Sequence, residues 1–205
     1  PGSVVAAARF AKRGLIRWKL AVPCAAASIL GAALGANLAL RVSERLIQSL
    51  MIVVLPVVAF YVMRNKEMGR KEGESELPWG KMLAAGLFAS LLIGMYNGFY
   101  GPGTGTFLIL VFTGVVKMEL KEAAGVSKFI NLAADISALG TFYANGKVDY
   151  ILGITAALFC MAGSYIGSGL AMKKGAKFIR PMMLVIAALL IIKMFADVLA
   201  NYVHL

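Results

Sequence analysis

Six consecutive residues, Gly101-Pro102-Gly103-Thr104-Gly105-Thr106, combine the features an anion site needs. Glycines let backbone approach a ligand closely, and threonine hydroxyls add donors. A half-helix beginning near Thr104 would present free N–H groups and the positive end of its dipole. The Lys-Ser/Thr that a nucleotide phosphate loop requires is missing after the glycines, so nucleotide binding is not implied. The competing reading is a proline-kinked helix that only packs against its neighbours. Three glycines and a proline exceed what a kink requires. Asn97 precedes the break together with Tyr96 and Tyr100. These three either line the entrance to the site or belong to an interfacial aromatic belt.

A second group of polar residues falls on a helix expected over 119–145. Ser127, Lys128, Asn131, Ala134, Asp135 and Ala138 share about a third of its circumference at 3.6 residues per turn. Phe129, Leu132, Ile136 and Leu139 form the adjacent apolar sector. An Asp near the middle of a membrane helix costs about 2.5–3.5 kcal/mol on insertion scales, so it normally faces a cavity or a partner. Lys128 and Asp135 lie about 10 Å apart along the axis, which argues against a direct pair. Asn131 stands one turn from each. The functional reading makes Asn131 a substrate contact, Asp135 a proton carrier and Lys128 an anion attractor. The structural one has Lys128 snorkelling to the interface and Asp135 tied to a neighbouring backbone. The expected substrate site is therefore Asn97, Gly101, Gly103, Thr104, Gly105, Thr106, Lys128 and Asn131, with Asp135 as the proton-coupling candidate.

Nothing in the chain suggests catalysis, a cofactor or a metal. Cys24 and Cys160 lie in apolar spans and His204 stands alone near the end. Ser127 beside Lys128 is not a catalytic pair, because adjacent helical residues do not share a face.

The elements that must position these residues belong to a membrane protein. Of 205 residues, 60% are hydrophobic and 15% charged, with a mean hydropathy of +0.80. A soluble domain carries about 25% charged residues. The net charge of +11 sits in short clusters between apolar stretches, as positive-inside loops do, and calls for no nucleic acid. Spans are expected near 18–40, 44–63, 82–98, 104–117, 122–144, 148–172 and 177–202. The polar stretch 64–81 reads as a linker, with Trp79 at the interface. Lys193 and Asp197 read as a structural pair in the last span. An irregular backbone between apolar flanks is tolerated at membrane depth only where protein buries it or a cavity adjoins it. Small-residue stripes run through Ala27, Gly31, Gly35 and Ala39, through Gly86, Ser90, Gly94 and Gly98, and through Gly163, Gly167 and Ala171. They are read as helix-packing faces.

The two halves match at an offset of 132 residues. Gly14 falls on Gly146, Trp18 on Tyr150, Leu20 on Leu152, Gly31 on Gly163 and Gly35 on Gly167. The expected domains are a remainder of a first transmembrane repeat (1–63), the linker (64–81) and a second repeat (82–205). Residues 1–13 match 133–145, so nothing corresponds to 81–132. About 50 further N-terminal residues with a first broken helix are expected from that repeat. With inverted repeats, segments 9–19, 64–81 and 173–180 share one side and hold fourteen Lys/Arg against three. Parallel repeats would split them eleven to six, so the positive-inside rule favours inversion.

The stretch Asn97-Gly98-Phe99-Tyr100-Gly101-Pro102-Gly103-Thr104-Gly105-Thr106-Phe107-Leu108 resembles the glycine-rich loop of the TauE/SafE family of sulfite and organosulfonate exporters. The resemblance continues through Gly125-Val126-Ser127-Lys128-Phe129-Ile130-Asn131-Leu132-Ala133-Ala134-Asp135, Gly146-Lys147-Val148 and Gly163-Ser164-Tyr165-Ile166-Gly167-Ser168. It implies two related bundles and export of small sulfur-containing anions or related carboxylates. The expectation is an all-α, polytopic helical membrane protein with an internal, inverted repeat and broken or re-entrant helices. It would be an inner-membrane secondary transporter (permease) of a prokaryote, exporting sulfite, organosulfonates or related small organic anions by alternating access. Its partners would be the small anion, the lipid bilayer and a possible second copy of itself. An anion channel with the loop as its filter is the alternative.

Overall fold

The computed structural model describes residues 2–43 and 77–175, together with scattered positions between 177 and 192. The expected span 44–63, most of the linker, the Lys193–Asp197 pair and His204 lie outside the described residues, as does much of the last span. Six helices are described: α1 (Gly2–Lys12), α2 (Trp18–Ala39), α3 (Trp79–Phe99), α4 (Thr104–Gly114), α5 (Leu120–Ala144) and α6 (Tyr150–Lys174). The all-α expectation holds. Helix α2, helix α3 and helix α6 are long and apolar enough to cross a membrane, with mean hydropathies of 1.6, 1.5 and 1.6. Helix α1 was not among the expected spans; at 11 residues it is too short to register as one.

Local chemistry explains where the helices stop. Gly14 and Gly146 both adopt positive φ, +67° and +65°. The Gly14 N–H donates to the Ala11 carbonyl at 3.0 Å, and the Leu15 N–H reaches back to Phe10 at 3.1 Å. The Gly146 N–H donates to Tyr143 and the Lys147 N–H to Phe142, each at 3.0 Å. Each set is a Schellman closure, in which a left-handed glycine satisfies the last helical carbonyls. The next α6 helix opens on Asp149, whose carboxylate accepts from the Leu152 N–H at 3.0 Å, as a good N-cap does.

The core sits between α2, α4 and α5. Leu20, Cys24, Leu108, Phe112, Val116, Met118, Val126 and Ile130 are all buried there, and Phe10 of α1 reaches into it. Trp18 packs edge-on against Phe129, ring centroids 5.1 Å apart, tying α2 to α5. Helix α3 lies against α2 along their small-residue faces. A Cβ added at Gly31 or Gly35 would collide with the carbonyl oxygens of Leu91 and Met95. One at Gly94 or Gly98 would collide with those of Ser28 and Ala32. The backbones are in direct contact, as small-xxx-small faces permit. Helix α1 packs instead on α5 and α6.

Candidate functional site

The break between α3 and α4 is built as the glycines and proline suggested. Gly101 and Gly103 sit at φ +95° and +87°, where a side chain would be strained, and Gly103 is the N-cap of α4. Pro102 lies between them and its carbonyl accepts the Tyr96 hydroxyl at 2.6 Å. Tyr96 also packs at a tilt of 59° against Phe107, with centroids 5.0 Å apart, and lies near Tyr100. Tyr96 thus braces the loop from both sides. Helix α4 has 11 residues and so is about 16 Å long, half of a ~30 Å hydrocarbon core.

A cavity of about 460 Å³ opens beside this break. Asn97, Gly101, Gly103, Thr104, Gly105, Lys128, Asn131 and Asp135 all line it, with Ala138, Leu139 and Phe142 as its apolar wall. Eight of the nine expected site residues therefore converge on one space. Thr106 is the exception. It faces a neighbouring, more apolar cavity of about 410 Å³, lined also by Phe10, Ile109, Ser164, Gly167 and Ser168. Gly103, Gly105 and Lys128 border both spaces and form the partition between them.

The polar side chains form one connected network. The Asp135 carboxylate accepts from the Ser3 hydroxyl at 2.5 Å, from Asn97 Nδ2 at 3.0 Å and from Asn131 Nδ2 at 3.0 Å. Asn131 Nδ2 also lies 3.3 Å from Ser3 Oγ. Asn97 is buried and oriented from its other end, since its Oδ1 accepts from the Thr104 hydroxyl at 2.9 Å. That hydroxyl is also 2.5 Å from the Gly101 carbonyl, and its single proton serves one acceptor at a time. The Thr104 hydroxyl, expected as a ligand donor, is thereby committed to holding the loop. Three donors on one carboxylate offset much of the cost of taking it from water, because hydrogen bonds to an ionised group are the strong ones.

Lys128 is placed differently. Its Nζ lies against the first turn of α4, where a Cβ at Gly105 would stand 3.5 Å away. The ion pair seen among the described residues joins Arg17 and Glu122 at 2.8 Å, and Lys128 takes no part in one there. The ammonium and the positive end of α4 therefore point into the same space, an arrangement that favours negative charge between them. The seven-residue separation kept Lys128 and Asp135 from pairing, and Asn131 bonds to Asp135 and not to Lys128.

Ser3 was missed by the sequence reading. Its one signal was the 132-residue offset, which sets Ser3 on Asp135. A lone serine in an apolar stretch carries no other mark.

The family model described as sulfite exporter TauE/SafE matches residues 1–194. A probable membrane transporter protein, ORF9 of Sinorhizobium sp, is 33% identical over 196 residues, covering 96% of this chain and 74% of that one. The probable membrane transporter protein YfcA of Escherichia coli K12 is 26% identical over 196 residues, with 96% and 72% covered. A probable membrane transporter protein of Haemophilus influenzae is 26% identical over 168 residues, covering 82% of this chain and 65% of that one. No solved structure matches.

Proposed function

The chain belongs to the sulfite exporter TauE/SafE family, and on that premise we propose that it is an inner-membrane secondary transporter of sulfite, organosulfonates or related small organic anions. The observation that carries this reading is the convergence of Gly103, Gly105, Lys128, Asn131 and Asp135 on one cavity at the break between α3 and α4. The Lys128 ammonium and the α4 N-terminus supply positive charge, and the Asn97 and Asn131 amides supply oriented donors. In the described state those amides are spent on Asp135.

That arrangement suggests proton coupling. With Asp135 ionised, its charge offsets that of Lys128 and its oxygens hold the amides. Protonation of Asp135 weakens both amide contacts and leaves Lys128 uncompensated, so an incoming anion gains a charge and two donors together. Proton and anion would then bind and move as a pair, while one bundle rocks against the other around the site. Energetically, an anion meeting a neutralised Asp135 avoids like-charge repulsion within a low-dielectric cavity.

Flux into proteoliposomes tests the reading. Lys128→Gln is expected to weaken anion uptake about tenfold, the effect of one partly buried charge-assisted contact. Asp135→Asn is expected to abolish the stimulation of flux by an imposed pH gradient. Unchanged pH-driven flux in Asp135→Asn would rule out the coupling role, and unchanged uptake in Lys128→Gln would rule out the site. Accumulation of the anion against its own electrochemical gradient separates a transporter from a channel.

A further inference from the structure

Two-fold arrangements have a simple diagnostic. A residue meets its own symmetry equivalent only on the axis, because elsewhere residue i meets j while j meets i. The offset of 132 can be tested in this way. Helix α1 ends at Lys12 and α5 at Ala144, while α2 starts at Trp18 and α6 at Tyr150, so both the ends and the restarts keep the offset. The closing turns keep it bond for bond. Gly14 to Ala11 corresponds to Gly146 to Tyr143, and Leu15 to Phe10 corresponds to Lys147 to Phe142.

The packing exchanges in the same sense. Helix α5 lies on α2, where the Ser137 hydroxyl donates to the Ile29 carbonyl at 2.9 Å. Its counterpart α1 lies on α6, the counterpart of α2, with Gly2 set against Cys160 and Ser164. Helices α1 and α5 also pack on each other. Within that contact, Ser3 Oγ donates to Asp135 Oδ2 at 2.5 Å. These two positions differ by the repeat offset itself. They are equivalents, and they touch.

The geometry points to Ser3 as the first repeat's counterpart of Asp135, a positioning residue that holds the carboxylate at the axis relating the two repeats. The inference rests on the site reading above, since it acts through Asp135. Its consequence is that the carboxylate is clasped from both repeats: by Ser3 from α1, and by Asn97 and Asn131 from α3 and α5. Serine and aspartate then divide one task between equivalent positions, one supplying the proton of the hydrogen bond and the other the charge.

Exchange of the two residues tests this. In the full-length protein, Ser3→Ala, Ser3→Thr, Asp135→Ser and the exchange Ser3→Asp with Asp135→Ser are compared in proteoliposomes and by thermal melting in detergent. The flux probe is whichever of sulfite, sulfoacetate, taurine and acetate the wild-type protein carries. Asp135→Ser is expected to lose about tenfold in flux, the worth of a charged hydrogen-bond partner. The exchange should recover to within about threefold of wild type, and its melting temperature should recover with it, because coupled neighbours are non-additive. Ser3→Thr should restore what Ser3→Ala loses, since it keeps the hydroxyl. An exchange no better than Asp135→Ser in both flux and melting would overturn the axis assignment, and Ser3→Thr no better than Ser3→Ala would overturn the positioning role. Wild-type flux in Asp135→Ser alone would instead remove the site reading on which both depend.

Discussion

Glycines at two places in this molecule perform opposite tasks. Along α2, Gly31 and Gly35 are pressed onto the backbone of α3, so that no further atom fits. Along α6, Gly163 and Gly167 recur at the same spacing and 132 residues on, yet a Cβ at either meets nothing within 4 Å among the described residues. Both helices have similar hydropathy, but half of the apolar stretch of α2 is buried against 6% of that of α6. A Gly-xxx-Gly pattern therefore permits close helix approach without ensuring it. The closeness comes from the partner's matching face, and α3 presents one through Gly94 and Gly98. Between these extremes stands Gly105 on the cavity wall, where a Cβ would just touch Lys128 Nζ at 3.5 Å.

Substitution by alanine should grade these positions. The largest effect is expected at Gly35, where the new methyl would overlap the Met95 carbonyl and force α2 and α3 apart. Gly35→Ala should lose at least about 3 kcal/mol, as overpacking against an immovable backbone does, and measurement of monodisperse, folded protein in detergent checks it. Wild-type stability would mean that the two helices are not in backbone contact. Gly103→Ala should come next, at about 1–2 kcal/mol, because its φ of +87° is costly for any side chain. Its distinguishing mark is a drop in anion flux larger than the stability loss explains, since Gly103 caps α4 beside the cavity. Gly163→Ala should be the mildest, within about 0.5 kcal/mol, because open space costs a methyl little. A loss at Gly163 equal to that at Gly35 would break the comparison and reveal a tightly packed neighbour on α6.

Much of the site was legible before the coordinates. The broken helix is where Gly101, Pro102 and Gly103 placed it, with α4 starting at Thr104. The polar face of α5 points into the same cavity, because helical periodicity fixes which residues share a face. Other features were not legible. Thr104 and Thr106 looked equivalent, yet two residues on a helix are about 200° apart, and they face different cavities. Tyr96 gave no hint that its hydroxyl would brace Pro102. Ser3 lay 128 residues from Asn131, and the 132-residue offset onto Asp135 was its one mark in the sequence.

By itself the sequence determined the class, the described helices other than α1, and where several of them stop. These follow from composition and from local backbone chemistry at Gly14, Gly101, Gly103 and Gly146, which acts over a few residues. It also marked which residues of the loop and of α5 were polar and on which face they lay. The tertiary structure decided which polar groups meet. Asp135 has three hydrogen-bond donors drawn from three helices, while Lys128 stands unpaired among the described residues against the first turn of α4. Those contacts depend on how closely α1, α3 and α5 approach one another, a distance set by packing and by no local pattern.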